Sequence, residues 1–277
     1  MYRYNLYKSY SFYRDMVKEA LKTLTGKENI YLVDSGKGAI VQAIDRCYEA
    51  DSLGLRFMNK ILVPDQGGWQ IFRSKKDSFE NVNLKTTYGV VWLTKLRQLA
   101  DESTVVLLSS LAGYFAEQPM KEIMEICKAK NALVINDVSG SIGRTMAQHG
   151  DIIVGSFGKH KPLGIGYGGF IASDEKLNIQ ENFDVNRLVD LKDKLSDLTE
   201  NATKIYKRSM QIKNDLKDYD ILHRESNFLV VVVKYRSFFE KKEILKYCED
   251  NKLHYLMCPK YIRVKEKAIS IEVKKWD

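Results

Sequence analysis

Apolar residues fall along this chain in short continuous runs that alternate with stretches of helical period. This is the pattern of strands buried on both faces alternating with amphipathic helices. Phe12, Met16, Ala20, Leu21 and Leu24 recur at helical spacing over residues 11–24, Gly26 ends that helix, and tyrosine-rich residues 1–8 precede it as a docking arm. Residues 30–33 read as a strand that turns through Asp34, Ser35, Gly36, Lys37 and Gly38 into a helix from 39 to about 50. Residues 60–64 form the next strand, followed by two glycines and a helix starting near Trp69. Residues 104–109 and 132–137 are further strands; the helix between them, 119–128, carries Met120, Ile123, Met124 and Cys127 on one face. Residues 152–154 and 170–172 are strands flanking a glycine-rich stretch.

The second part of the chain changes character. Residues 173–186 are polar and poor in strand signals, and then Leu188, Leu191, Leu195, Leu198, Ala202, Ile205 and Met210 recur at three to five residues. That spacing predicts a long amphipathic helix with room for one break. Residues 227–233 read as a buried strand, 239–251 as a helix, and 261–264 with 268–273 as a terminal strand pair joined by 265–267. The predicted fold class is α/β, with a mainly parallel sheet in a large domain and a small C-terminal α+β domain. The expected division is 1–25 for the N-terminal arm and helix, 26–180 for the large domain, and 181–277 for the linking helix and small domain.

Composition narrows the function classes. With 277 residues, 44% hydrophobic and 29% charged, the chain suits one large globular domain with a small one appended. No apolar run approaches the roughly 20 residues of a membrane span, and the N-terminus lacks a signal-peptide core, so a cytoplasmic protein without membrane contact is expected. The four cysteines are scattered, with only Cys258, beside Pro259, in a loop-like setting; together with four scattered histidines they give a metal site little support. A net charge of +8 suits a nucleic acid or an anionic substrate. The lysines are spread instead of clustered in an arm, which favours a solvated basic surface first, a phosphate-bearing ligand next and nucleic acid last.

Candidate chemistry centres on Ser156-Phe157-Gly158-Lys159-His160-Lys161, followed by Gly164, Gly166, Gly168 and Gly169. An amine at a sheet edge between glycines that allow close approach can form a Schiff base; the plain alternative is a glycine-rich hairpin with solvated lysines. The turn at Ser35, Gly36 and Lys37 offers helix N–H groups to a phosphate, or is a simple strand-to-helix turn. Trp69 is placed to stack on a flat ring or to fill the core. Asp137 stands at the carboxyl end of a strand, where ligands bind in parallel sheets, or caps the next element. Arg263 projects from the face opposite Ile262 and Val264, as a planar fork for a carboxylate or as one more surface cation.

The register of Ser156, Phe157, Lys161, Gly166, Gly168 and Gly169 resembles the lysine segment of fold-type I pyridoxal phosphate enzymes, and within them the DegT-type aminotransferases. The resemblance implies a fold-type I large domain, pyridoxal 5'-phosphate as cofactor and an internal aldimine on Lys161, with Lys159 as the rival. It implies that Asp137 pairs with the pyridine nitrogen and Trp69 covers the ring. Ser35, Gly36 and Lys37 with Ser156 hold the phosphate, Lys37 standing where that family has a threonine. Arg263 takes a substrate carboxylate. Gly140 departs from the family's histidine or glutamine, with Ser139 as a possible substitute, and the part after Lys161 is short for a sugar-nucleotide enzyme. The implied function is an aminotransferase acting on an amino-acid-like or amino-sugar substrate, as a homodimer with a small-molecule amino substrate. A lyase or sulfur- or selenium-transfer enzyme is the alternative within this chemistry, which a reactive Cys258 near the cofactor would favour. A non-catalytic protein of this fold that binds a polyanion is the alternative outside it.

Overall fold

The computed structural model describes residues 2–48, 58–74, 80–226 and 228–274. Seven strands form the main sheet: β1 (Asn29–Val33), β2 (Lys60–Pro64), β3 (Glu80–Leu84), β4 (Thr104–Ser109), β5 (Leu133–Asp137), β6 (Ile152–Ser156) and β7 (Gly169–Ser173). Their spatial order is β1-β7-β6-β5-β4-β2-β3. The pairings β6 with β5, β5 with β4, β4 with β2, and β2 with β3 are parallel; β7 runs antiparallel to both β6 and β1. The carboxyl ends of β1, β2, β4, β5 and β6 therefore share one edge.

Both faces of the sheet are covered, as the continuous apolar runs require. All six residues of β4 are buried, and their alternation sends Val105 and Leu107 to one face and Val106 and Leu108 to the other. Helix α2 (Gly36–Tyr48) covers the first face, packing Ala39, Ile40, Ala43 and Ile44 against Val33, Ile61, Val154 and Ile171. The second face meets α1 (Tyr2–Thr25) through Val17 and Leu21 at the β1–β7 end, and at the other end α3 (Leu93–Leu99) and α4 (Met120–Ala129). Helices α5 (Leu188–Ser196) and α6 (Leu198–Asp215) then lead to a four-stranded antiparallel sheet. Its strands β8 (Asp220–Ile221), β9 (Val231–Lys234), β10 (Tyr255–Met257) and β11 (Ala268–Ile271) lie in the order β8-β9-β11-β10, with α7 (Phe238–Asp250) packed through Ile244 and Cys248. Among the described residues, no helix is long and apolar enough to cross a membrane.

Several elements differ from the periodicity reading. Residues 2–8 are not an arm but the first turns of α1. The helix expected near Trp69 is a single 3-10 turn, Gln70–Arg73, and β3 and α3 arise where no element was predicted. The break in the long amphipathic helix falls at Asp197, between α5 and α6. The predicted end of the helix at 49–50 and the first residue of the predicted strand at 227 lie outside the described residues; that strand begins at Val231, although Phe228–Val230 are buried. Residues 261–264 are a turn, closed by Arg263 N–H to the carbonyl of Lys260 and Lys260 N–H to that of Val264. β11 pairs instead with β9 and β10, because the turn leaves no extended backbone at 261–264 to pair with it.

Candidate active site

Four strand ends, those of β1, β2, β5 and β6, converge on one cavity of about 300 Å³, lined by Gly36, Lys37, Ile40, Trp69, Gln70, Ile71, Asp137, Ser139, Ser156 and Lys161. At the end of β1, the Ser35 hydroxyl accepts the Gly38 N–H at 3.0 Å and donates to Asp34 Oδ1 at 2.9 Å, capping α2. The cap takes the Gly38 N–H, and the rest of the first turn of α2 lies at the edge where a helix N-terminus attracts an anion. Gly36 lies against Ser156: a Cβ there would come 2.4 Å from Ser156 Cβ and 2.8 Å from its Oγ. The α2 turn and the end of β6 meet only because residue 36 has no side chain. Lys37 is exposed at the rim.

Asp137 ends β5, between Ser109 of β4 and Val154 of β6. It is 1% exposed. Its Oδ1 accepts the Ser139 N–H at 2.9 Å, whereas its buried Oδ2 has no partner. One oxygen organises the following turn, and the other is buried facing the cavity without a partner. Burial raises the carboxyl's pKa, and the nearby Lys161 charge and the Ser139 bond oppose that rise.

Lys161 follows a turn in which its N–H donates to the Gly158 carbonyl, bringing the side chain back across the strand ends. Its Nζ donates to the Tyr114 hydroxyl and sits 4.1 Å from the Trp69 ring centroid and 4.4 Å from that of Tyr114. Burial pushes its pKa down to about 8, helped by Arg263 and opposed by Asp137 and Glu272. Lys159 is exposed and is absent from this cavity's lining.

Tyr114 is the residue that pattern reading missed. It is 3% exposed, sits at φ 66° after Gly113 at φ 54°, and packs edge-on to Trp69 with centroids 6.0 Å apart. Two consecutive left-handed residues, one of them non-glycine, are costly and tend to occur at functional sites. The turn is tied in by Tyr114 N–H to Leu111 O and Gly113 N–H to Gly67 O. A usable signal was present: Tyr114 lies five residues beyond the carboxyl end of a parallel strand, where side chains reach the ligand edge. Burial holds its hydroxyl's pKa well above the usual tyrosine range, with Asp137 adding to the rise.

Arg263 does not project from a strand, and its guanidinium is not open to a ligand. It is 3% exposed and forks onto Glu272, with Nε at 3.0 Å and Nη2 at 2.8 Å from Oε1 and Nη2 at 2.7 Å from Oε2. Glu272 also receives Lys274 Nζ at 3.1 Å, and that Nζ lies 3.9 Å from the Tyr114 centroid. Lys274 and Arg263 hold the Glu272 carboxyl down at about 2 against the effect of burial. Burial, Arg263 and Lys161 push Lys274 well below the usual lysine range, while Glu272 opposes them. Ser270, Glu272 and Lys274 alternate with Ile269, Ile271 and Val273, so a polar face at the end of the chain was readable at period two. Cys258 is buried, its thiol raised by burial, and it lines neither this cavity nor the lysine-rich one beside it.

Residues 82–194 match the DegT/DnrJ/EryC1/StrS aminotransferase family, and residues 199–277 match the MJ1341 family C-terminal domain. No curated protein matches the chain in sequence. Among solved structures, a NifS-like protein from Rickettsia africae superposes with a TM-score of 0.72 at 14% identity, covering 96% of this chain and 83% of that one. SPT with a PLP internal aldimine gives 0.70 at 15% identity over 94% of this chain and 71% of that one. The serine palmitoyltransferase of Sphingomonas wittichii gives 0.66 at 12% over 94% and 70%. The chain has their fold, the fold-type I architecture of a large, mostly parallel sheet and a small C-terminal domain.

Proposed function

We propose that this chain, an aminotransferase-family match on a fold-type I scaffold, is a pyridoxal phosphate-dependent aminotransferase acting on an amino-acid-like or amino-sugar substrate. One observation carries the reading: the unpartnered Oδ2 of Asp137 and the amine of Lys161 belong to the same cavity. A buried carboxylate oxygen without a donor is costly, and a protonated ring nitrogen would satisfy it. The side-chain-free contact of Gly36 with Ser156, at the start of a helix, fits the phosphate end.

In this reading Asp137 holds the ring nitrogen, and Ser35, Gly36, Lys37 and Ser156 hold the phosphate, with the α2 N–H groups as the main donors. Trp69 walls the ring and excludes water. When bound, the cofactor supplies an electron sink for the substrate carbon next to nitrogen. Lys161 would hold the cofactor through its amine, and in the neutral form that amine would take and return the proton at the substrate carbon. With a pKa of about 8, roughly a tenth of that amine is neutral at pH 7, against well under a thousandth for an ordinary lysine. Tyr114, whose hydroxyl bonds Lys161 Nζ, orients that amine. The fold resemblance supports a homodimer, which light scattering would test, and a division into 1–25, 26–180 and 181–277 is part of the same proposal. Cys258 lines neither cavity, so it lends no support to the lyase or sulfur-transfer reading.

The test is the visible spectrum of the purified protein with added pyridoxal phosphate, followed by borohydride reduction and peptide mapping. The expected result is a label on Lys161. A label on Lys159 would reassign the amine, and no label on either lysine would overturn the enzyme reading in favour of a non-catalytic binder.

A further inference from the structure

Lys161 lines a second cavity as well. This one has a volume of about 310 Å³ and is bounded by Lys159, His160, Lys161, Pro162, Gly164, Lys194, Asn201, Lys204, Ile205 and Lys274. Five of these residues are lysines and none is acidic. Lys204 pairs with the exposed Glu200, while Lys159 and Lys194 have no acidic partner among the described residues. The innermost cation is Lys274, whose side chain is 7% exposed.

Among the described residues Lys274 has one acidic partner, Glu272, and shares it. Both oxygens of Glu272 are already engaged by the Arg263 fork, so one carboxylate faces two buried cations. Around Tyr114 the buried charges are Arg263, Lys274 and Lys161 against Glu272 and Asp137, which leaves an excess of positive charge. Such an excess is costly away from water unless an anion joins it. Burial first, then Arg263 and Lys161, hold Lys274 below the usual lysine range, and an anion placed against it would favour its charged form.

We propose that this cavity is an anion site that selects the substrate: it receives a second anionic group, carboxylate or phosphate, of an amino compound whose amine is presented beside Lys161. Lys274 is the inner ligand, and Lys159, Lys194 and Lys204 form a cationic mouth that attracts the anion. Arg263 positions Glu272 and through it Lys274. The cavity is of small-molecule size. The statement about the amine rests on the proposed function; the anion site itself does not.

Two measurements separate these claims. The first is calorimetric titration of the protein, with and without added pyridoxal phosphate, using succinate, inorganic phosphate and acetate as probes. Succinate or phosphate should bind more tightly than acetate, with affinity falling as salt rises. The affinity should drop about tenfold in Lys274→Met, and severalfold in Lys194→Gln and Lys159→Gln, which alter partly or fully exposed positions and keep the test open if Lys274→Met fails to fold. Whichever of succinate and phosphate binds more tightly identifies the chemistry of the group. Unchanged affinity in every folded variant, or no binding of either probe, overturns the anion site even if the cofactor binds. The second measurement follows the absorbance of the bound cofactor on adding alanine, glutamate or phosphoserine. A preference of at least about tenfold for the compounds with a second anionic group, lost in Lys274→Met, is expected. An equal response to alanine overturns the selective role. If no cofactor is taken up, the first measurement still decides the anion site, and only the proposed function fails.

Discussion

The Tyr114 ring occupies the space that any side chain at position 140 would need. A Cβ on Gly140 would lie 2.3 Å from Tyr114 Cδ1 and 2.5 Å from Cε1. The glycine that departs from the resembled family is thus the counterpart of a tyrosine entering from a different strand end. A single aromatic residue fills the volume and brings a hydroxyl to Lys161 Nζ.

Gly140→Ala should therefore destabilise the protein by about 1–3 kcal/mol, the usual cost of overpacking a well-filled interior. Denaturant unfolding would measure it. Adding Tyr114→Ala should return part of that loss, because the two side chains compete for one space. If the two losses simply add, the competition is absent.

Lys161 should titrate early. In the cofactor-free protein, its labelling by an amine-reactive reagent, read by peptide mass, should rise with pH and level off just above pH 8. An ordinary lysine would keep rising to about pH 10.4. The Asp137 charge favours the protonated amine, so Asp137→Asn should move the midpoint to lower pH. A midpoint that stays put or rises would remove the coupling between the two residues.

Glu272 is a pH-dependent support. Its folded pKa of about 2 lies below the ordinary value of 4.5, so its contribution is fully present above about pH 4.5 and is lost as the pH falls towards 2. The size is of the order of a few kcal/mol. Glu272→Gln should cost about 3–5 kcal/mol at neutral pH, because it strands Arg263 and Lys274 as buried cations. The variant should also show a flatter stability profile between pH 5 and pH 2, about the range of the two pKa values. Urea unfolding across that range checks both.

Gly36→Ala tests the phosphate end. Alanine suits a helix better than glycine, yet its methyl would meet Ser156 Cβ at 2.4 Å. Pyridoxal phosphate affinity, followed by spectral titration, should fall by about tenfold or more, while far-ultraviolet circular dichroism stays close to that of the parent. Unchanged affinity would mean that the phosphate lies elsewhere.

Much of this architecture was legible because its strands are short apolar runs bounded by turn signals. Those at Lys60–Pro64 and Thr104–Ser109 have the bounds their sequence suggests. The strand at Glu80–Leu84 was not legible: it is an edge strand with little burial, and its alternation of Asn81 and Asn83 with Val82 and Leu84 is too short and too polar to stand out. In the site, Asp137 and Lys161 stood out because each sits at a strand end in an ordered series of motifs. Tyr114, Glu272 and Lys274 did not, since their importance comes from tertiary contacts: Tyr114 brings together Lys161 and Lys274, which lie far from it in the chain, and Glu272 matters through the buried cations packed on it. Arg263 was visible as a cation near the site, but its partner and its turn are set by tertiary packing.

The loop after β2 is stitched to the loop that carries Arg263. Gly67 N–H bonds the Tyr261 carbonyl at 2.7 Å, Gln66 Oε1 accepts the Lys265 N–H at 2.7 Å, Lys265 Nζ pairs with Asp65 at 2.9 Å, and the Arg73 guanidinium lies 3.5 Å from the Tyr261 centroid. These ties cross from the large sheet to the small one on both sides of Arg263. A hinge at this edge would have to break several of them together, so the wall formed by Trp69, Tyr114 and Lys274 is already ordered before any ligand arrives. The loss of conformational freedom that a closing domain would charge to each binding event is incurred once, during folding, and ligand exchange is left to the small motions of side chains.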